Sequence, residues 1–110
     1  MATPDEFFAI DMRVGTVLSA EPFPQARKPS IKLEIDFGPE VGRKRSSAQL
    51  TVHYAPDQLV GRQVIAAVNL GSRRIAGFES EVLVLGAMPS PADVVLLGVD
   101  RPVADGTRIG

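Results

Sequence analysis

The chain contains no cysteine and a single histidine, and aromatic residues make up only 5% of it. Without cysteine, disulfides and thiolate metal sites are excluded, and a reducing, cytoplasmic setting is expected. One histidine cannot build a usual zinc site on its own. The same residue, His53, would have to serve any serine–histidine relay, yet no serine sits in a Gly-x-Ser-x-Gly elbow. No glycine pattern matches a phosphate-binding loop or a dinucleotide fingerprint. Glu34 and Asp36 lie two apart and share a strand face, which is ordinarily a solvated face. These absences predict a protein that is not an enzyme, with no catalytic residue, no metal and no cofactor. The apolar runs are a handful of residues, far below the roughly 18 needed to cross a bilayer, so no membrane insertion is expected. The opening Met1-Ala2-Thr3-Pro4-Asp5-Glu6 is acidic and lacks the charged and apolar regions of a secretory signal.

What is present fits one domain over residues 1–110. Hydrophobic residues make up 45%, so Val, Ile, Leu and Ala must supply the core. The net charge is only −1, but it is unevenly spread. Between Arg27 and Arg74 lie nine basic and four acidic residues, a local excess of +5. Such an imbalance can focus a positive patch for phosphate contacts.

The periodicity predicts β structure almost throughout. Thr3-Pro4-Asp5-Glu6 starts a short helix, with Thr3 as cap, Pro in the first turn and acids at the positive end of the dipole. In Met12–Ala20, Met12, Val14 and Leu18 fall on one strand face, and Gly15 inside the run suggests a bulge. Three prolines make 21–30 a loop. Ile31–Phe37 alternates apolar and charged residues for seven positions, the pattern of a half-buried strand. A turn at 38–42 leads to a polar strand over 43–50. A helical turn follows at Pro56–Leu59, then a strand over 63–70, a loop over 71–80, and strands at 81–85 and 94–99. The pattern is all-β, a small barrel of short strands over about 11–87, with a short N-terminal helix over about 4–10 and a C-terminal β extension over about 88–110.

Two clusters carry candidate binding chemistry. On the third strand, Arg43, Arg45 and Ser47 share one face, with Lys44 and Ser46 on the other. Around the loop that follows the fourth strand stand Asn69, Arg73, Arg74 and Ser80. Arginines hold phosphates, and Asn or Ser contact bases and sugars, as on barrels that bind single strands across a basic face.

Asp11-Met12-Arg13-Val14-Gly15-Thr16-Val17 resembles the opening strand of tRNA-binding domains. The segment Tyr54-Ala55-Pro56-Asp57-Gln58-Leu59-Val60-Gly61-Arg62-Gln63-Val64 resembles their Tyr-x-Pro-Glu-x-Leu-x-Gly-Lys-x-Val motif. Asn69-Leu70, Arg73-Arg74, Gly77 and Ser80 fit the strand and loop that follow. Synthetase-appended members commonly have Ser-x-Gly-Met where this chain has Ser80-Glu81-Val82-Leu83, so the pattern is more similar to the free-standing, export-related chaperone branch. The resemblance implies an all-β, five-stranded oligonucleotide/oligosaccharide-binding (OB) barrel that forms a homodimer and binds unfolded preproteins or peptides, with a tRNA-binding surface. The alternative it leaves is a protein whose primary ligand is tRNA. The apolar pattern independently points to a dimer. Phe7, Phe8 and Ile10 exceed what a small barrel buries, and Val94-Val95-Leu96-Leu97 is apolar on both faces. Phe7, Phe8, Ile10, Val94 and Leu96 are the expected interface, unless the N-terminal helix folds back over the sixth strand.

Overall fold

The computed structural model describes residues 1–110. Helix α1 (Pro4–Phe8) starts where expected, because Thr3 and Glu6 satisfy each other's backbone groups. Thr3 Oγ1 accepts from the Glu6 N–H at 3.2 Å, and Glu6 Oε1 accepts from the Thr3 N–H at 2.8 Å. The main sheet has five antiparallel strands in the order β3-β2-β1-β4-β7. They are β1 (Met12–Pro22), β2 (Ile31–Asp36), β3 (Arg43–Ala48), β4 (Gln63–Ala67) and β7 (Leu83–Val84). The two edge segments meet and nearly close the barrel. The Glu81 N–H donates to the Arg45 carbonyl at 2.7 Å, and buried Ser46 Oγ donates to the Val82 carbonyl at 2.9 Å.

The alternation in β2 becomes burial directly. Ile31, Leu33, Ile35 and Phe37 are buried, and the charged residues between them are half-exposed. They form the core with Val17, Val64, Ala66 and Val82, closed at one end by Leu59. Leu59 follows a 3₁₀ turn at Pro56–Gln58 and is fully buried. The glycine in β1 serves differently from the expectation. The register break lies between Val17 and Ser19, so Val17 is buried and Leu18 faces out. Gly15 instead lies beneath Ile35 and Phe37, whose side chains would stand 2.7 Å from any Cβ at that position.

Other elements also depart from the pattern reading. Strand β1 runs on to Pro22, Gly38–Val41 is a short helix (α2), and β4 ends at Ala67. The expected loop at 71–80 contains a hairpin, β5 (Arg73–Ile75) with β6 (Phe78–Ser80). Its two-residue turn has left-handed φ at both Ala76 (46°) and Gly77 (81°), the turn whose twist suits a tight hairpin. The C-terminal extension is a second hairpin, β8 (Gly86–Ser90) with β9 (Asp93–Leu96), followed by a tail. That tail returns along β1 on the side that β2 leaves free. Val14 exchanges backbone hydrogen bonds with Thr107 and Gly106, and the Ile109 N–H donates to the Met12 carbonyl.

Candidate binding groove

The residues most diagnostic in sequence turn out to be scaffolding. Arg13 donates from Nε to Asp11 Oδ1 at 2.6 Å, from Nη1 to the Gly106 carbonyl at 3.0 Å and from Nη2 to Glu40 at 3.2 Å. It therefore ties β1, α2 and the tail together. The hydrogen bond from Arg13 holds the Asp11 carboxyl below its ordinary pKa, and Asp11 in turn raises that of Arg13. Gln63 holds the tail like a clamp, with its amide donating to the Val103 carbonyl and accepting from the Val103 N–H. Thr16 Oγ1 donates to Asp105 beside it, at 2.6 Å.

Asn69 belongs to the same scaffold. Its side-chain oxygen accepts from the Asp11 N–H at 2.8 Å, and its amide donates to the Ala9 carbonyl at 2.9 Å. One acceptor and one donor of the amide thus anchor the N-terminal segment, and Asn69 does not line the groove beside Arg73. Arg108 adds a bond to the Phe8 carbonyl. The helix held this way leaves Phe7 and Phe8 44% and 49% exposed, so it does not bury them by folding back over β9. His53 is a surface residue paired with Asp93 and set edge-on to Tyr54, linking the segment after β3 to β9.

The β3 cluster keeps the expected faces: Arg43 and Arg45 are exposed, and Ser46 points into the barrel. The ladder register tempers its charge, because Arg43 lies opposite Asp36 and Arg45 opposite Glu34. Arg45 also approaches Glu81 at 3.8 Å and stacks over Phe78. Ser80 faces β3, and its hydroxyl accepts from the Ser47 N–H at 3.0 Å. Together Ser80 and Glu81 cap the outer edge of β3 with side chains, and Glu81 Oε1 takes the Arg45 N–H. Strand addition along Arg45–Ser47 is thereby blocked.

The two hairpin arginines separate. Arg73 pairs across the ladder with Ser80, and Arg74 with Glu79, so they project from opposite faces. Arg74 is bound to Glu79 at 3.4 Å. Arg73 is in no ion pair and lines a groove of about 420 Å³. The groove runs between the β1–β2 loop, the end of β3, the β5–β6 hairpin and the β8–β9 hairpin. On its rim stand Arg27, Lys28 and Arg73; its apolar surface comes from Leu50, Ile75, Leu83, Val84, Met88 and Val94. Leu83 and Met88, both lining the groove, are 53% and 61% exposed. No aromatic ring lines the groove. Phe78 is instead packed edge-on against buried Phe23 at 5.5 Å, with Lys32 above both.

Arg27 and Lys28 entered the sequence reading only through the charge excess, because a proline-rich loop has no periodicity to assign their direction. The two faces of the C-terminal run separate. Val94 and Leu96 pack against the core, and Val95 and Leu97 face outward. A strand apolar on both sides gives no phase in sequence, so only the fold shows which of its residues face out.

Comparison with known proteins agrees with this architecture. The family described as "Putative tRNA binding domain" matches residues 12–108. The crystal structure of the chaperone CsaA from Bacillus anthracis is 50% identical with a TM-score of 0.91, covering 100% of this chain and 99% of that one. The CsaA chaperone protein from Picrophilus torridus is 43% identical, also with a TM-score of 0.91, and coverage is 100% on both sides. The methionine–tRNA ligase of Porphyromonas gingivalis is 35% identical over 105 residues, which is 96% of this chain. The chain spans about 15% of the length of the curated ligases it matches.

Proposed function

The chain belongs to the tRNA-binding domain family and is CsaA-like in fold, and from that premise we propose that it is a non-enzymatic chaperone that holds extended segments of unfolded, export-bound polypeptide. The observation that carries this reading is the groove itself. Exposed aliphatic side chains sit on an apolar surface beside unpaired cations, at the strand face and loops that OB barrels use for extended ligands. Because Ser80 and Glu81 cap the edge of β3, the polypeptide is held through its side chains rather than as an added strand.

A second reading, tRNA binding, is supported by the family and by the free cations Arg27, Lys28 and Arg73. It lacks stacking platforms in the groove, which places it second for this site. A homodimer would form through Phe7, Phe8, Ile10, Val95 and Leu97, presenting two grooves to one long ligand.

The deciding experiment pairs Leu83→Asp with Met88→Asp, both exposed positions that a folded chain tolerates. Light scattering follows a denatured reporter enzyme diluted into buffer, and filter binding follows tRNA. The proposal requires the double variant to lose suppression of aggregation. If it loses only tRNA retention and still suppresses aggregation, the second reading replaces the first.

A further inference from the structure

The groove is electrostatically one-sided. None of its lining residues is acidic, and its three cations, Arg27, Lys28 and Arg73, are free of ion pairs. Outside the groove several cations have acidic partners, Arg13 with Asp11 and Glu40, Lys32 with Glu21, Arg45 with Glu81, Arg74 with Glu79, whereas no acid lines the groove itself. In a chain of net charge −1, an unopposed basic rim at an apolar surface is a local selection of charge.

From this complementarity we infer that the groove discriminates among polypeptide segments: it takes those in which aliphatic side chains lie next to carboxylates, and rejects those rich in Lys and Arg. The inference rests on the polypeptide-binding reading and specifies its substrate class. The physical basis is twofold. Aliphatic side chains of the ligand cover Leu83, Met88 and the surface beneath them. A neighbouring carboxylate meets Arg73 on one wall, or Arg27 and Lys28 on the other, in a recess where the attraction is less screened than on open surface. A basic side chain at the same place meets like charge on both walls, and no acid in the groove offsets it. The consequence for clients is specific. The positively charged n-region of a secretory signal is the part of a preprotein that this groove excludes. Acidic-aliphatic stretches elsewhere in the unfolded chain are what it holds.

The test uses the full chain and three fluorescein-labelled peptides of matched length, in which Leu and Val alternate with Glu, Gln or Lys. Fluorescence anisotropy at low ionic strength should rank them Glu, Gln, Lys, with steps of about tenfold or less, as expected for rim charges. The Glu advantage should shrink as salt is added. In Arg27→Glu/Lys28→Glu/Arg73→Glu the order of Glu and Lys should invert while the Gln peptide binds as before. Glu and Gln peptides binding equally, or the Lys peptide binding best, overturns the inference and leaves the polypeptide reading standing. Failure of all three peptides to bind, with aggregation suppression also absent, overturns both.

Discussion

Arg73→Ala and Arg74→Ala form a matched pair that isolates the groove from general charge. Each removes one positive charge from the same three-residue strand, so any long-range effect of net charge is nearly equal in the two. They differ in direction, since Arg73 lies with Ser80 on the groove side and Arg74 lies with Glu79 on the other. A fully exposed ion pair is worth about 0.2–1 kcal/mol, and a hydrogen bond to a charged group about 1.5–3 kcal/mol. The rim of a half-open groove falls between these, about 1 kcal/mol, or roughly fivefold in affinity at 1.4 kcal/mol per decade. Arg74 loses only its surface contact with Glu79, so ligand affinity should stay within about twofold. Anisotropy with a labelled acidic-aliphatic peptide reads both, and thermal unfolding controls for the fold. Both side chains are exposed, so neither melting point should move by more than about 2 °C. Equal losses in the two variants, or a larger loss in Arg74→Ala, would refute the assignment of the groove face.

Other perturbations test the scaffold. Gly15→Ala forces a Cβ to within 2.7 Å of Ile35 and Phe37 and should cost about 1–3 kcal/mol in denaturant titration; a neutral substitution contradicts the packing described. Leu59→Ala empties the end of the barrel and should cost about 2–5 kcal/mol, with far-UV circular dichroism of the folded state retained. Asn69→Ala should speed amide exchange at Asp11 and fray α1 while ligand affinity stays within about twofold; a loss of affinity would return Asn69 to the binding surface. Asp11 has a folded pKa below its ordinary value of 3.8, so its stabilisation is complete well above that value and disappears as pH falls through the lower folded value. The urea midpoint of the wild type should therefore drop with acidification below about pH 5 more steeply than that of Asp11→Asn, and parallel curves would show that the pair with Arg13 does not hold the tail.

Sequence pattern predicted the barrel where one face is wet and the other dry. Strand β2 is the clearest case, since Lys32, Glu34 and Asp36 mark the outer face and leave the inner face to Ile31, Leu33, Ile35 and Phe37. The Thr3 cap and the helical turn at Pro56 rest on local chemistry and were equally readable. Phase failed where that contrast is missing or interrupted. The β1 break turns Leu18 outward, and Val94–Leu97 offers no polar face to set a direction. Strands β5 and β6 are three residues each and join through Ala76-Gly77, a weaker turn signal than Asn-Gly. Most of the basic candidates were visible, but their partners were not. The pairing of Arg74 with Glu79, the opposition of Arg43 and Asp36, and the engagement of Asn69 with Ala9 and Asp11 all depend on register and tertiary contact. Composition cannot show which cations remain free of ion pairs, nor that three of them, Arg27, Lys28 and Arg73, come together at the groove.

The central claim is that the groove between the β1–β2 loop and the two hairpins receives extended polypeptide. Chemical-shift mapping on the ¹⁵N-labelled full chain, titrated with a short acidic-aliphatic peptide, tests it most directly. The account predicts that perturbed amides cluster at 26–30, 47–50, 73–75 and 83–94, while Asp11, Arg13 and Asn69 stay still. Perturbations centred on the N-terminal helix or the C-terminal tail, with the groove amides unmoved, would contradict it.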